Sequence, residues 1–571
     1  MMKSWSPASR REDLQKLFQG YASGRPALPA RALLRFLHQE QMELEATEET
    51  AERLIGTYEV EEAARGSGSM TFDGFLRYME SREGCVFNRA HACVYQDMEQ
   101  PLSSYFISSS HNTYLTGDQL VGESHLDAYV YALRKGCRCL EIDCWDGPDM
   151  EPVVYHGYTL TTKIRFRDVV ATVEQHAFQT SAYPVILSLE NHCSEEQQEV
   201  MAQHLISILG NKLLSAPLPQ AAAGGLPSPN DLKYKVLIKN KKLKPQIRAE
   251  EAAGTEAEES VNEGEDEDEE EDDDADHDKT TAKCCLLKKS ESKKRRKVQV
   301  APVLSDLVIY TSSVKFVSFS HAKQHQSHCE NSSVAEKKAR RLLRASGADF
   351  VQHNQRFLSR IYPAGSRTSS SNYNPQEFWN VGAQLVALNF QSLGLPMDLN
   401  HGRFQDNGGC GYVLKPPVLR SSRSFDPGCS KHSHKPTNLL LKTTCPLCLC
   451  PKVISASNLP VPRGGKALDP LVRVEIHGTA SDSQRRSTHA VKSNSLSPHW
   501  DVNMDFSLRV PELSLVRFCV RDQTGLFSSD FVGQYTLPFS SLKKGYRWVP
   551  LLSRDGCSLD PASLFVFVWH S

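Results

Sequence analysis

The segment GCRCLEIDCWDG, residues 136–147, decides the fold of this chain. Its centre has the pattern of a short buried strand, in which Glu141 and Asp143 face one side while Leu140 and Ile142 face the other. Carboxylates at the end of a strand are typical of parallel sheets, whose functional groups gather at the carboxyl edge. The segment therefore predicts a parallel strand with two carboxylates at a functional edge.

Other short apolar stretches also end in polar side chains. These stretches are YFISSS, PVVY, PVILSL and KVLI, and the gaps between them are long enough for helices. Alternating strands and helices predict a (β/α) barrel whose strand ends form one mouth. The polar residues at these ends are His111, Asn112, His156, Glu190, Lys239 and Lys241.

The side chains at this mouth suit a hard metal ion and an anionic substrate. The three carboxylates and Asn112 offer oxygen ligands without a thiolate, which favours Ca²⁺ or Mg²⁺ over zinc. The two histidines are then left for proton transfer, since an unperturbed imidazole titrates near pH ~6.5. The two lysines supply positive charge for a phosphorylated substrate. The combination predicts metal-assisted phosphoryl-transfer chemistry.

Longer motifs identify a family. They resemble the two catalytic halves of a eukaryotic phosphoinositide-specific phospholipase C, and the similarity runs from about residue 12 to the C-terminus. The short linker between the halves and the close fit of the first half make the delta class the best match. The motifs are SSSHNTYLTGDQL, GCRCLEIDCWDG, EPVVYHGYTLTTKI, YPVILSLENHCS and VLIKNKKL in the first half, and LSRIYPAGSRTSSSNYNPQEFWNVGAQLVALNFQ and FQDNGGCGYVLKPPVLR in the second.

The resemblance implies calcium-dependent hydrolysis of phosphatidylinositol 4,5-bisphosphate to diacylglycerol and inositol 1,4,5-trisphosphate, through a cyclic phosphate, at the inner membrane surface. It implies that His111 donates to an equatorial phosphate oxygen, that His156 protonates the leaving diacylglycerol, and that Glu141 or Glu190 is the general base. The implied Ca²⁺ ligands are Asn112, Glu141, Asp143 and Glu190. The implied substrate-binding residues are Lys239, Lys241, Ser333, Arg360 and Tyr362.

The expected fold is multidomain α/β. A split (β/α)8 TIM-like barrel is preceded by a helical EF-hand-like lobe and followed by an all-β C2 sandwich. The lobe shows helical spacing in LQKLFQGY and ALLRFLHQEQ but no DxDxxG loop, so we expect it to bind no calcium. The match also lacks the family's pleckstrin-homology domain and first EF-hand pair. The expected boundaries are 1–94 for the lobe, 95–247 and 304–420 for the barrel halves, 248–303 and 421–437 for linkers, and 438–571 for the C2 domain.

The C-terminal part contains short alternating strands, as a β-sandwich would. DPLVRVEIHG, SPHW and SSDFVGQYTLPFSSLKKGYR resemble the family's C2 domain. Asp469 and Asp522 match calcium-ligand positions in its loops, but Thr524 stands where another aspartate is expected. The resemblance also places Leu120, Tyr158 and Leu160 on a membrane-inserting rim of the barrel. Arg340 and Ser366 are polar where delta members tend to be apolar, which predicts shallower insertion.

The first linker has a strongly divided charge. Residues 250–278 contain 18 acidic residues and no Lys or Arg, and residues 279–297 contain nine Lys or Arg residues and one acidic residue, Glu291. The two segments together carry −10, so the rest of the chain carries +8 to give the net charge of −2. We expect this linker to be disordered, to cover the mouth in solution and to be repelled at an anionic membrane. Its KKRRK run, Lys293–Lys297, resembles a nuclear-import signal.

Two other functions fit parts of the pattern. An inactive scaffold would bind inositol phosphates or lipid in the same pocket, and a zinc hydrolase would use the two histidines as ligands. A zinc site in CPLCLC, residues 445–450, lacks completing ligands and is disfavoured.

Without a long apolar run or a visible signal peptide, we expect a monomeric cytoplasmic protein that associates peripherally with membranes and binds no nucleic acid.

Overall fold

The computed structural model describes residues 8–219, 225–243, 299–421, 425–428, 446–461 and 465–571. These residues form a helical lobe, a barrel and a β domain, in that order along the chain. The acidic run, the KKRRK segment and most of both expected linkers lie outside the described residues. No helix in the described part combines the length and apolar content needed to cross a bilayer.

The N-terminal lobe is built from amphipathic helices joined by one short antiparallel strand pair. Its second helix buries Leu33, Phe36 and Leu37, which recur at helical spacing on one face. The side chain of Thr47 caps the third helix by accepting from the backbone N–H of Thr50. The elements are α1 (Ala8–Ala22), β1 (Ala27–Pro29), α2 (Ala30–Gln39), α3 (Glu48–Tyr58), α4 (Glu62–Gly66), β2 (Ser69–Thr71) and α5 (Phe72–Glu80), with β1 paired to β2.

The central domain contains the next strands and helices. The strands are β3 (Tyr105–Ile107), β4 (Ser109–Ser110), β5 (Cys139–Trp145), β6 (Val153–Val154), β7 (Ile164–Arg165), β8 (Val185–Asn191), β9 (Val236–Lys239), β10 (Ser312–Ser313), β11 (Glu330–Ala335), β12 (Leu358–Tyr362), β13 (Leu385–Leu388) and β14 (Tyr412–Leu414). The helices are α6 (Leu126–Arg134), α7 (Phe166–His176), α8 (Glu195–Leu209), α9 (Pro302–Asp306), α10 (Phe319–His325), α11 (Glu336–Arg356), α12 (Gln376–Trp379), α13 (Leu395–Phe404) and α14 (Pro417–Arg420).

Eight of these strands close into a parallel barrel. In the barrel β4, β5, β8 and β9 are followed by β10, β11, β12 and β13, and β13 pairs with β4. A bridge between Asn240 and Ser312 joins β9 to β10 and so connects the two halves. The predicted split barrel is therefore present, with its strand ends at one mouth.

Two of the apolar stretches do not form barrel strands as we expected. In YFISSS, β3 pairs antiparallel with β14 outside the barrel, and only Ser109–Ser110 joins the parallel sheet. In PVVY, β6 runs antiparallel to β5 and continues to β7. The expectation was wrong because a buried apolar run does not reveal the direction of its partner strand. His156 therefore lies between β6 and β7, an antiparallel strand pair that extends from β5 and is not itself part of the barrel.

The C-terminal domain is all-β, as the alternating pattern predicts. The elements are β15 (Leu447–Ser457), β16 (Pro470–His477), β17 (Gln484–Ser487), β18 (His499–Asn503), β19 (Phe506–Leu508), β20 (Leu515–Gln523), β21 (Ser529–Pro538), β22 (Gly545–Leu552) and β23 (Ser558–His570). Their order in the sheet is β17-β16-β20-β21-β22-β23-β15-β18, with β19 paired to β15.

The helical lobe and the β domain share a hydrophobic core. Ile454 and Phe565 from the β domain are buried in the cluster formed by the lobe's helices. The Arg547 side chain is fully buried and donates to Glu43 Oε1 at 2.8 Å. The indole N–H of Trp548 donates to the carbonyl of Ser81 at 2.7 Å. These contacts fix the lobe on the β domain.

A buried ion pair joins the barrel to the β domain. Arg517 on β20 lies 2.9 Å from Asp398 on α13 and 2.8 Å from Glu475 on β16. Burial works against ionisation of Glu475, but His477 and Arg517 lower its pKa to about 2. The charge of Arg517 therefore stabilises the ionised forms of two buried carboxylates, Asp398 in the barrel and Glu475 in the β domain.

Replacing Arg517 with leucine should lower the free energy of unfolding by about 3–5 kcal/mol, because two buried carboxylates lose their charged partner. Urea unfolding at neutral pH measures the change. The control is Arg509→Leu at an exposed position of the same domain. A loss no greater than that of the control would show that the ion pair does not hold the domains together.

Candidate active site at the barrel mouth

Three carboxylates meet at the ends of two adjacent strands. Asp143 on β5 is the register partner of Glu190 on β8, and Glu141 lies two residues before Asp143 on the same face. One carboxylate oxygen from each residue lies within 4.8 Å of the other two. Glu141 and Asp143 are buried, whereas Glu190 is exposed. The cluster is thus open to the mouth on one side.

The carboxylate cluster fits a hard cation. Asp143 Oδ2 accepts from the Tyr114 hydroxyl at 2.6 Å, but its buried Oδ1 has no hydrogen-bond partner among the described residues. Burial raises the pKa of Asp143 well above its usual range, and the charges of Glu190 and Glu141 raise it further. A cation bound here would relieve this repulsion and satisfy the unpaired oxygen. An all-oxygen donor set favours an ion such as Ca²⁺.

Glu141 is held as a carboxylate by its neighbours. Its Oε1 lies 2.9 Å from the Arg360 guanidinium, and its Oε2 accepts from the backbone N–H of Asn112 at 2.7 Å. Although burial opposes the effect, Arg360 and His111 lower the pKa of Glu141. Arg360, from the second half of the barrel, therefore contacts a carboxylate of the first half.

Asn112 adopts a left-handed backbone conformation just after β4. Its φ of 39° is tolerated because asparagine has a short polar side chain. Its side-chain Nδ2 donates to Gln119 Oε1 at 2.7 Å, and the residue is 3% exposed. Asn112 is therefore buried and fixed beside Glu141.

Both predicted histidines are held through the same ring nitrogen. His111 Nδ1 lies 2.8 Å from Asn389 Oδ1, and His156 Nδ1 lies 2.6 Å from the backbone carbonyl oxygen of Gln119. These oxygens only accept hydrogen bonds, so Nδ1 is the donor and Nε2 is left to exchange a proton with substrate. Burial lowers the pKa of His111, and Glu141 partly opposes this effect.

The predicted phosphate-binding residues lie on or just after β9, β11 and β12. Lys239 ends β9 and is buried, whereas Lys241 follows it and is exposed. Burial lowers the pKa of Lys239 to about 8, and the charge of Arg360 adds to the effect. Arg360 and Tyr362 share a face of β12, with the guanidinium 5.9 Å from the ring centroid. Ser333 is exposed on β11 as the register partner of Arg360.

The predicted loop carboxylates of the β domain already have protein partners. Asp469 Oδ2 lies 2.9 Å from Lys492 Nζ, and its Oδ1 accepts from the backbone N–H of Ser493 at 2.8 Å. The backbone N–H of Asp469 donates to Asp522 Oδ1 at 2.7 Å. Thr524 Oγ1 donates to Ser528 Oγ at 3.2 Å. A calcium ion at this pair would have to displace the Lys492 ammonium.

Comparisons with known proteins agree with this architecture. Family models match the phosphatidylinositol-specific phospholipase C X domain at residues 98–242 and Y domain at residues 304–418. An EF-hand-like model of phosphoinositide-specific phospholipase C matches residues 6–89, and a C2 model matches residues 448–551. Human 1-phosphatidylinositol 4,5-bisphosphate phosphodiesterase zeta-1 is 47% identical over 563 residues, which cover 98% of this chain and 89% of that relative. The chain belongs to the phosphoinositide-specific phospholipase C family.

Further relatives confirm the prediction of a delta-like phospholipase C. The delta-4 phosphodiesterase of Xenopus laevis is 48% identical over 569 residues, which cover 98% of this chain and 72% of that relative. The crystal structure of S. officinalis PLC21 aligns with a TM-score of 0.79 at 32% identity and covers 98% of this chain and 68% of that one. The predicted EF-hand-like lobe, catalytic barrel and C2 domain are confirmed.

The rim of the phospholipase C barrel is apolar on one side and polar on the other. Leu120, Tyr158 and Leu160 of the first half are exposed by 50%, 78% and 81%. Arg340 of the second half is ion-paired with Glu336 and Glu377, and Ser366 is exposed. The exposed apolar side chains suit contact with lipid.

Sequence reasoning missed residues that support the predicted groups. Asn389 follows β13 directly, so the strand-end rule that identified the other residues could have found it. Tyr114 and Gln119 lie in the loop after β4 and carry no such signal. Their roles depend on which atoms the fold brings near them, and spacing alone does not specify that.

Proposed function

We propose that this phospholipase C hydrolyses phosphatidylinositol 4,5-bisphosphate to diacylglycerol and inositol 1,4,5-trisphosphate at a membrane surface, with Ca²⁺ as its cofactor. The observation that carries the proposal is the carboxylate cluster with an unpaired buried oxygen, flanked by two histidines held through Nδ1. The relatives named above as 4,5-bisphosphate phosphodiesterases support the choice of substrate. An inactive scaffold would not need both histidines and the full ligand set.

The metal-binding residues in this proposal are Asn112, Glu141, Asp143 and Glu190. When bound, Ca²⁺ supplies positive charge that lowers the pKa of the inositol 2-hydroxyl and offsets negative charge at phosphorus. Either Glu141 or Glu190 accepts the hydroxyl proton as the oxygen bonds to phosphorus. The carboxylates thus serve both to hold the cation and to remove a proton.

The histidines complete the proton transfers. With its Nδ1–H donated to Asn389, His111 must carry a second proton on Nε2 to donate to a phosphate oxygen, and the negative charge of that phosphate favours this form. His156 protonates the diacylglycerol oxygen as its bond to phosphorus breaks. This step yields an inositol cyclic 1,2-phosphate and neutral diacylglycerol. Water then opens the cyclic phosphate, with His156 taking the proton from water and the cluster carboxylate returning one to the 2-hydroxyl.

The basic residues would recognise the phosphates of a phosphorylated inositol ring. Lys239, Lys241, Ser333 and Arg360 bind the ring phosphates, and Tyr362 packs against the ring. Ammonium and guanidinium groups are the usual partners of phosphate oxygens. Binding by these residues orients the 2-hydroxyl towards the carboxylate cluster.

Product analysis tests the proposed function. Vesicles containing phosphatidylinositol 4,5-bisphosphate are incubated with the protein in calcium or in chelator, and the products are separated by chromatography. We expect diacylglycerol with cyclic and acyclic inositol trisphosphates, in calcium only. Release of phosphatidic acid or inorganic phosphate would contradict the proposed bond cleavage, and vesicle binding without release would favour the scaffold.

The pH dependence of kcat/KM should reveal the buried ammonium of Lys239. A lysine is charged below its pKa, so substrate binding should weaken as pH rises through about 8. For a group with a pKa of about 8, the loss is about fivefold between pH 8 and 9. Lys239→Arg keeps its charge at these pH values, so the decline should move to higher pH. An unchanged profile in Lys239→Arg would assign the decline to another group.

A further inference from the structure

Gln119 occupies an unusual position between the groups of the proposed active site. It lies in the loop that follows β4 and is 6% exposed. Its Oε1 accepts from Asn112 Nδ2 at 2.7 Å, and its backbone carbonyl accepts from His156 Nδ1 at 2.6 Å. One residue outside the predicted set therefore contacts both a proposed metal ligand and a proposed acid.

The contact with Asn112 determines which amide atom can face a cation. Gln119 Oε1 can only accept a hydrogen bond, so the Asn112 atom beside it is the amide nitrogen. The other end of the amide, Oδ1, is then directed away from Gln119. An amide oxygen is a calcium ligand, whereas an amide nitrogen is not. The glutamine thus selects the amide orientation that can bind calcium.

The Gln119 side chain is itself held from the second half of the barrel. Its Nε2 donates to Ser370 Oγ at 2.8 Å and lies 3.4 Å from Asn389 Oδ1. Its backbone N–H donates to the carbonyl of Thr368 at 2.8 Å. Ser370 Oγ in turn donates to the carbonyl of Gly117 at 2.8 Å. The loop of the first half is therefore fastened to a loop of the second.

We propose that Gln119 is a positioning residue that orients the Asn112 side chain so that its Oδ1 faces calcium. Because Gln119 is held by Ser370 and Thr368, this orientation depends on the second half of the barrel. The inference rests on the proposed function, because it concerns the same calcium site. Partners of metal ligands commonly change metal affinity about 10–100-fold when they are removed. Gln119 does not touch the cation in this scheme and acts through Asn112.

Two substitutions at Gln119 distinguish the effect of the Asn112 amide orientation on calcium affinity from the effect of side-chain packing. Gln119→Met keeps the approximate size but removes the acceptor for Asn112 Nδ2, so calcium affinity should fall about tenfold or more. Gln119→Glu keeps an acceptor oxygen for Asn112 but loses the Nε2 donor to Ser370, so its calcium affinity should fall less than that of Gln119→Met. Gln391→Met is the matched control, since Gln391 Nε2 lies 3.2 Å from the Gly117 carbonyl and 3.2 Å from Ser370 Oγ without contacting Asn112.

Calcium binding is measured by isothermal titration on the full chain, independently of activity. Melting in chelator confirms that each variant is folded, and Ser370→Ala replaces Gln119→Met if the latter does not fold. Wild-type affinity in Gln119→Met, or equal weakening in Gln119→Met, Gln119→Glu and Gln391→Met, would overturn the inference. A wild-type chain that binds no calcium would instead overturn the proposed function, and the inference with it.

Discussion

Replacing His156 with alanine is expected to lower kcat about 10²–10⁴-fold on vesicles of phosphatidylinositol 4,5-bisphosphate, the usual contribution of a positioned general acid. The alkoxide of diacylglycerol is a poor leaving group, and His156 is the residue proposed to protonate it. His156 Nδ1 donates to the Gln119 carbonyl, so the ring presents Nε2 to the substrate. The initial rate of diacylglycerol release at saturating substrate measures the loss.

The same His156→Ala variant should recover on a substrate with a better leaving group. An inositol phosphate ester of an acidic phenol or a thiol needs no protonation on departure, so most of the defect should disappear. His125→Ala, at an exposed histidine on the same half of the barrel, is the control and should match the wild type on both substrates. Equal losses of the His156 variant on both substrates would show that it is not the acid.

Replacing Asp143 with asparagine should have opposite effects on calcium binding and on calcium-free stability. Calcium affinity should fall about 10²-fold or more, because affinity at oxygen sites depends on the number of charged ligands. In chelator, however, the variant should melt at a higher temperature than the wild type. The substitution removes a carboxyl group whose ionisation is opposed by burial and by the charges of Glu190 and Glu141, and the asparagine oxygen can still accept from Tyr114.

Differential scanning calorimetry in chelator and in saturating calcium measures both effects of Asp143→Asn. Calcium should raise the melting temperature of the wild type, because a ligand that binds only the folded state stabilises it. The variant should show little calcium-dependent shift. A variant that melts below the wild type in chelator would contradict the view that Asp143 destabilises the folded protein when no cation is bound.

The sequence predicted the positions of the mouth carboxylates more reliably than the path of the chain. Glu141 and Asp143 could be placed because period-two alternation puts both on one face, and Glu190 ends the neighbouring parallel strand. The direction of PVVY could not be predicted, since apolar strands look alike whichever way their partners run. His156 therefore follows an antiparallel strand, and not the barrel strand that we expected.

Contacts between distant parts of the chain were the least predictable. The ion pair between Arg360 and Glu141 joins residues from the two barrel halves, and Arg517 joins the C2 domain to the barrel. Such pairs depend on the final packing of elements that are far apart in sequence. Local propensity and spacing carry no information about them. The support that Gln119 gives to the site was missed for the same physical reason, whereas Asn389 directly follows β13 and could have been found by the strand-end rule.

The most direct test of this account is a titration of free calcium with wild type and His111→Ala on vesicles containing phosphatidylinositol 4,5-bisphosphate. Release of water-soluble inositol phosphates is followed together with calcium binding to each protein. We predict calcium-dependent release by the wild type, and a His111→Ala variant that is folded and binds calcium but releases at least about 10²-fold less product. Release by the wild type in chelator, or undiminished release by His111→Ala, would contradict the account.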